Sequence, residues 1–175
     1  AVIYAAGEAV FAQTVEVVSD DMAARYAEAD RVAALALASE GQCESIWPQW
    51  KDATRHRGRD RDWRTAHQGE IETAAAGCWL GRARSTTDRT DRIAQLTEAR
   101  TWDHRLDGLT DLTVPLAAER DAEGDALAGQ EDWEGAYAAY TEALALDPSR
   151  SWSRRKAEEA RDKRLGIVRP GQEEA

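Results

Sequence analysis

The chain is poor in residues that build β-sheets and in residues that build catalytic or metal sites. Its 175 residues include no asparagine, one phenylalanine, one methionine and three histidines. Valine and isoleucine are sparse outside the first helical stretch, whereas alanine, leucine, arginine and the acidic residues dominate, and this composition favours helices over strands. The absence of asparagine excludes N-linked glycosylation. We therefore predict an all-α protein.

The charge balance excludes one class of partner. The chain has 33 acidic against 23 basic side chains, which gives a formal net charge of −10. Only the stretch 51–116 carries slightly more basic than acidic residues. Because binding to a phosphate backbone needs a basic face, we expect no nucleic-acid partner.

No catalytic motif occurs in the sequence. It has no glycine-rich phosphate loop, no nucleophile elbow and no His-Glu-x-x-His. His67 and Glu70 share a helix face, but helical metal sites use Glu-x-x-His from two helices, and here the order is reversed and a second copy is missing. We therefore predict no enzyme activity, no metal and no cofactor, and keep a metal-binding or catalytic helix bundle as a third option.

The two cysteines, Cys43 and Cys78, leave two interpretations open. A bridge between them would close a loop whose length suits a stabilising disulfide in an exported protein. Two buried free thiols are the alternative. A zinc site is disfavoured because the cysteines and histidines lack the close spacing of zinc ligands.

The chain begins at Ala1 rather than at methionine, which indicates a processed chain or a fragment. Residues 1–18 are apolar enough to be the tail of a membrane segment or export signal, so that a membrane anchor upstream of Ala1 is one expectation. Glu8, Gln13 and Glu16 prevent them from spanning a bilayer unaided. The alternative is a core helix of a soluble protein. We expect an exported or extracytoplasmic location in preference to a cytoplasmic one.

One apolar stripe predicts a long first helix over residues 2–39. Nothing interrupts the pattern before Gly41, although Ser19-Asp20-Asp21 offers a point where a new helix could begin. Such a helix suits a stalk or a homo-oligomer seam, or it is one member of a bundle. The stripe consists of Tyr4, Phe11, Val15, Val18, Met22, Tyr26, Ala29, Val32 and Ala36.

Three further helices are expected before residue 110, so that residues 1–110 form an N-terminal helical bundle. Pro48 is expected in the first turn of the second helix, and Gly81 at the end of the third. A basic cluster surrounds Gly58 between them. It is either an acidic-partner site or a solvated turn whose arginines pair with nearby aspartates.

The most specific pattern runs from Gly124 to Pro148. Two helices, about 115–129 and 132–146, are separated by a turn, and small residues recur where two helix backbones would approach closely. The pattern resembles a tetratricopeptide repeat, a helix pair in which a ring fills the gap beside those small residues. Its packing slots are filled by Gly124, Leu127, Ala136, Tyr140, Ala143 and Pro148. Two slots depart from the pattern, since Arg120 replaces an aromatic residue and Glu123 a leucine.

A strongly polar last helix is expected over 152–165, capped by Ser151, with a flexible tail over 166–175. Repeat arrays end in such a capping helix, which covers the last apolar face. We therefore divide the chain into the bundle, a tetratricopeptide-like hairpin plus capping helix over 111–165, and the tail. Thr113 is expected to cap the first helix of the hairpin.

The resemblance implies a scaffold or protein–protein interaction module that holds a peptide or helix along a groove lined by the first helix of each pair. On this chain it points to five partner-binding residues, which are Asp121, Asp125, Trp152, Arg155 and Glu159. The alternative is a structural role, in which the long first helix drives oligomerisation or membrane anchoring and the repeat-like pair only caps the fold.

Overall fold

The computed structural model describes the backbone of residues 2–58 and 60–167, and side chains from residue 20 onward. In this part of the chain every regular element is a helix, which confirms the all-α prediction. Seven helices follow one another there: α1 (Val2–Ser39), α2 (Cys43–His56), α3 (Arg61–Ser85), α4 (Arg89–Trp102), α5 (Leu109–Gly129), α6 (Trp133–Leu146) and α7 (Ser151–Leu165).

Dense internal contacts divide the chain into two compact units, residues 1–79 and 80–175, and the division falls inside α3. The domain boundary that the sequence places at residue 110 stays a prediction.

The first unit is built on α1, which is one continuous helix as predicted. At 1.5 Å per residue its 38 residues extend over about 57 Å. Its side toward α2 includes the fully buried Ala27 and Ala34, whose small side chains let the two helices approach closely. α2 begins at Cys43, earlier than predicted, so Pro48 lies in the second turn and not in the first. Burial of Cys43 and Ile46 explains why the helix starts there.

α3 corrects a second expectation from the sequence. It continues through Gly81 and ends at Ser85, because Ala83 beyond the predicted end is fully buried. A glycine inside a helix costs about 1 kcal/mol relative to alanine, which burial of Leu80 offsets. At the start of α3 the carboxylate of Asp60 accepts a hydrogen bond from the Trp63 backbone N–H at 3.0 Å.

The second unit contains α4 to α7. α4 is capped by Asp88, which accepts from the Asp91 backbone N–H at 2.9 Å. α5 begins at Leu109, about a turn and a half earlier than predicted, so Thr113 lies inside the helix and does not cap it. Leu109 is fully buried, and Gly108 makes the preceding turn at φ 77°, a conformation that favours glycine.

α7 ends as an α-helix commonly does, with a left-handed glycine. Gly166 has φ 66°, and the Ile167 backbone N–H donates to the Asp162 carbonyl at 2.8 Å, which closes the last turn. Residues 168–175 of the predicted flexible tail lie outside the described residues. Among the helices that the structure describes, none combines the length and the apolar character that a membrane span requires.

Candidate interaction groove on α5 to α7

The hairpin of α5 and α6 closes around the ring of Tyr140, which is 3% exposed. A Cβ atom placed on Gly124 would lie 2.6 Å from Cε1 of that ring, so α5 approaches α6 only because this position lacks a side chain. Ala136 is buried beside the ring, and Leu127 packs against the same cluster. Ala143 is fully buried, whereas Pro148 follows α6 and is exposed.

Three helices meet at the hydroxyl end of Tyr140. Its Oη donates a hydrogen bond to Oδ1 of Asp125 on α5 at 2.6 Å, and Lys156 on α7 donates to the same carboxylate oxygen. The ammonium group of Lys156 also lies 5.6 Å from the centroid of the Tyr140 ring. One carboxylate on α5 therefore joins a side chain of α6 to a side chain of α7.

The protonation of this cluster follows from burial and hydrogen bonding. Burial opposes ionisation of Asp125, but the hydrogen bonds from Lys156 and Tyr140 outweigh it, and the pKa of Asp125 lies below its ordinary value. Burial, reinforced by the hydrogen bond to Asp125, raises the pKa of the Tyr140 phenol. The phenol therefore keeps its proton and acts as the donor.

Above this cluster lies a depression of about 280 Å³ between α5 and α7. Tyr140 and Lys156, which belong to the cluster described above, line this depression, and Glu159 lines it from α7. Its lining residues are Asp125, Ala128, Trp133, Tyr140, Lys156, Glu159 and Ala160.

A second depression, of about 450 Å³, extends along α7. Lys156 and Glu159 line both depressions, so the two adjoin and form one surface, which we call the groove. The further residues of the second depression are Trp152, Arg155, Glu158, Asp162, Lys163 and Ile167.

Trp152 is the exposed aromatic residue of the groove. Its side chain is 55% exposed, and two cations of the next helical turn lie near its ring. The guanidinium carbon of Arg155 is 4.3 Å from the ring centroid, and the ammonium nitrogen of Lys156 is 4.8 Å from it. These cation–π contacts orient the indole while much of it faces solvent. Ala157 and Ala160 of α7 are buried, whereas Trp152 and Leu165 are exposed.

The structure brings four of the five predicted partner-binding residues to the groove. Asp125, Trp152, Arg155 and Glu159 line it. Asp121 does not belong to the lining of either depression. It is 7% exposed, and Arg150 Nε donates to its Oδ2 at 2.6 Å, which ties α5 to the residue before α7.

Lys156 is the central residue that the sequence did not single out. It contacts Asp125, Tyr140 and Trp152. A signal was available, because it stands four residues after Trp152 and three before Glu159 and therefore on the same helix face.

The two departures from the repeat pattern are joined by ion pairs. Arg120 is 8% exposed, and its Nε lies 2.7 Å from Oε2 of Glu142 on α6. Its guanidinium also contacts Glu123, which in turn contacts Arg89 on α4. The hydrogen bond from Arg120 is the main cause that lowers the pKa of Glu123. A charged network therefore occupies the place that an aromatic residue and a leucine hold in the family pattern.

The candidate clusters of the first unit have local partners. Arg57 lies 3.1 Å from Asp60 and Arg64 donates to the Gly58 carbonyl at 3.1 Å, as in a solvated turn, while Arg59 lies outside the described residues. Nδ1 of His67 is 4.0 Å from Glu70, and Glu70 also pairs with Arg31 at 2.5 Å. Within the described part of the chain, no group of three or more potential metal ligands comes together.

The two cysteines are joined by a disulfide. The sulfur atoms of Cys43 and Cys78 are 2.00 Å apart and link α2 to α3 within the first unit. Of the two interpretations that the sequence left open, this structure contains the bridge.

No protein-family model matches the chain, and no curated protein or solved structure is significantly similar to it. The likeness of α5 to α7 to a tetratricopeptide repeat is therefore a resemblance carried by the residues described above.

Proposed function

We propose that the chain is a non-enzymatic interaction module, and that the groove on α5 to α7 binds a segment of a partner polypeptide. The observation that carries this proposal is the gathering of Asp125, Trp152, Arg155 and Glu159 along one surface above Tyr140.

The shape of the groove favours a polypeptide over a small molecule. Pockets for small molecules are concave and bury most of the ligand surface. Here Trp152, Arg155 and Glu159 are exposed, so the groove is open along α7. A peptide laid along the helix would contact both depressions at once.

The chemistry of the groove supports the same reading. Tryptophan, tyrosine and arginine are the residues that contribute most often to binding energy at protein interfaces. The groove combines an exposed indole with the cations of Arg155 and Lys163 and the carboxylates of Glu158 and Glu159. A partner segment that carries an apolar side chain between charged residues matches this surface.

Selection of random peptides displayed on phage against the immobilised 175-residue chain tests the proposal. Enriched peptides are synthesised, and their Kd values are measured by calorimetry for the wild type and for variants. We expect Trp152→Ala to weaken binding at least about tenfold, because an exposed aromatic side chain at the centre of an interface is typically a hot spot. Arg155→Glu should weaken binding in the same direction.

Two matched controls lie on the same helix outside the groove. Leu165→Ala removes an apolar side chain that is 57% exposed, and Arg154→Glu reverses a charge next to Arg155. Both should leave the Kd within about twofold of the wild type. Failure to enrich any binding peptide, or equal losses in the controls, would contradict the proposal.

The disulfide also supports a proposal for the cellular compartment. Stable disulfides form mainly in oxidising compartments, so the Cys43–Cys78 bridge supports a chain that works outside the reducing cytosol. The alternative role, in which the long first helix carries the function and the repeat-like pair only caps the fold, stays a prediction.

A further inference from the structure

The groove is apolar at both ends of α7 and charged between them. Trp152 lies at one end and Ile167 at the other, and their side chains are 55% and 50% exposed. The distance between these positions corresponds to about 20 Å along a helix axis, or about four helical turns. A partner segment that contacts both ends must therefore present two apolar side chains that far apart.

Beside Trp152 the groove carries a positive charge that no carboxylate offsets. The Arg155 guanidinium lies 4.3 Å from the centroid of the Trp152 ring, and in the described part of the chain it pairs with no acidic side chain. The neighbouring Lys156 is different, because its charge is offset by Asp125. Arg155 is exposed, so its charge is accessible to a bound segment.

One turn further along α7 the sign of the charge changes. Glu158 and Glu159 are both exposed there. Nζ of Lys163 lies 3.6 Å from Oε1 of Glu159, whereas Glu158 has no cationic partner among the described residues. In the following turn Asp162 pairs with Arg161 at 3.1 Å. The order along the groove is therefore apolar, positive, negative and apolar.

The geometry of the groove fits a helix better than an extended chain. The groove follows one side of α7, with its residues in steps of four, three and four at Trp152, Lys156, Glu159 and Lys163. A second helix laid along α7 has the same rise per turn, so that each of its turns meets one turn of α7. In an extended chain, successive side chains point to opposite faces and do not keep this register.

We propose that the occupant of the groove is an amphipathic helix of a partner polypeptide, about four turns long. The side of this helix that faces α7 carries an apolar residue at each end. Between them it carries an acidic residue against Arg155 and a basic residue against Glu158. This inference rests on the proposed function, because it names the kind of segment that the groove binds.

Two designed peptides test the inference. Each is an alanine-rich helix of about 20 residues, long enough to form a helix in water. The first carries a leucine at each end, a glutamate one turn after the first leucine, and a lysine one turn after the glutamate. The second carries the same pattern in reverse order, because a helix can lie along α7 in either direction. Calorimetry should give a Kd below about 100 μM for one of them, and circular dichroism should show a helical peptide in the complex.

A charge exchange tests the contact with Arg155. Arg155→Glu should weaken the peptide that binds at least about fivefold, because two carboxylates then face each other. Replacement of the glutamate in the peptide by lysine should return the Kd to within about threefold of the original pair. Arg154→Glu is the matched control, since it makes the same charge change at the next position outside the groove. At about 0.15 M salt it should change the Kd of either peptide less than about twofold.

A change of spacing tests the two apolar ends. One extra alanine between the two leucines turns the second leucine by about 100° around the peptide helix and away from Ile167. This peptide should bind at least about fivefold more weakly than its parent. Ile167→Ser should weaken the parent peptide by a similar factor, and should weaken the extended peptide no further because the contact is already lost.

The failure of this inference is distinguishable from the failure of the proposed function. If the phage-selected peptides bind without gaining helix while neither designed peptide binds, the helical occupant is wrong and the binding of a polypeptide stands. If Arg155→Glu weakens the glutamate and the lysine peptide equally, the charge pattern is wrong. A dimer of the chain that is lost on Trp152→Asp would assign the groove to a second copy and overturn both proposals.

Discussion

The two units of the molecule are stabilised by different means. In the first, the Cys43–Cys78 disulfide links α2 to α3, and the rings of Trp50 and Trp63 stack at 5.4 Å with an interplanar angle of 22°. Residues 80–175 contain no cysteine, and there the ring of Tyr140 fits against a glycine. A disulfide restricts the unfolded chain, whereas close packing stabilises the folded one. The two units should therefore respond to different perturbations.

Removal of the ring at the centre of the hairpin should have the largest effect. Tyr140→Ala leaves a cavity between α5 and α6 and takes away a hydrogen bond to Asp125, so we expect a loss of about 3–5 kcal/mol in the free energy of unfolding. Chemical denaturation followed by circular dichroism measures it. Tyr26→Ala in the first unit, whose side chain is 53% exposed, is the control and should cost less than about 1 kcal/mol. A loss below about 1 kcal/mol for Tyr140→Ala would mean that the ring does not fill the gap.

Loss of the disulfide should have the next largest effect, and it should be confined to the first unit. The bridge joins residues 35 apart, and a loop of that size predicts a stabilisation of about 2–4 kcal/mol. The variant with Cys43→Ser and Cys78→Ser should therefore exchange the amide hydrogens of α2 faster than the wild type. The amides of α6 should exchange at unchanged rates. Faster exchange in α6 would show that the second unit also depends on the bridge.

A single added methyl group should act in opposite directions in the two units. Gly124→Ala forces a Cβ against the Tyr140 ring, and overpacking of this kind costs about 1–3 kcal/mol. Gly77→Ala in α3 meets no atom within 4 Å, and it should raise the free energy of unfolding by about 0.5–1 kcal/mol because alanine loses less backbone entropy than glycine in a helix. Chemical denaturation of both variants measures the two changes in the free energy of unfolding. A neutral or stabilising Gly124→Ala would contradict the expected difference between the units.

The smallest expected effect is a decrease in the free energy of unfolding at alkaline pH. The pKa of Tyr140 is raised above its ordinary value of 10.0, so the folded chain holds this proton after the unfolded chain has lost it. The stability that this residue contributes is therefore complete below about pH 10 and declines as the pH rises further, by at most about 1.4 kcal/mol per pH unit.

Comparison with Tyr140→Phe isolates this contribution, because the variant cannot ionise at this position. Thermal unfolding of both chains at about pH 9 and about pH 11 should show a steeper loss for the wild type. Parallel losses would show that the phenol titrates as it does in the unfolded chain.

The sequence predicted the parts of the fold that depend on local pattern. The extent of α1 followed from an apolar stripe without a helix-breaking residue. The starts of α2 and α5 were misplaced because burial of Cys43 and Leu109, which depends on tertiary packing, extended both helices beyond their proline signals. Local pattern carries no information about such burial.

The candidate groove likewise has a part that local sequence pattern predicted and a part that it did not. The spacing of Trp152, Arg155 and Glu159 on one helix was readable, so their common surface could be predicted. The contact of Lys156 with Asp125 joins residues 31 apart and depends on how α7 packs against α5. The burial of Asp121 under Arg150 depends on the same packing. The Lys156–Asp125 contact and the burial of Asp121 both depend on distances between separate helices, and a single sequence does not give those distances.

The most direct test of the account is to map where a selected peptide contacts the chain. The indole N–H signals of the tryptophans can be followed by NMR during a titration with a phage-selected peptide. The account predicts that the signals of Trp133 and Trp152 shift with increasing peptide, while those of Trp50 and Trp63 in the first unit stay in place. A peptide that binds without moving the Trp152 signal would contradict the claim that the groove is the binding surface.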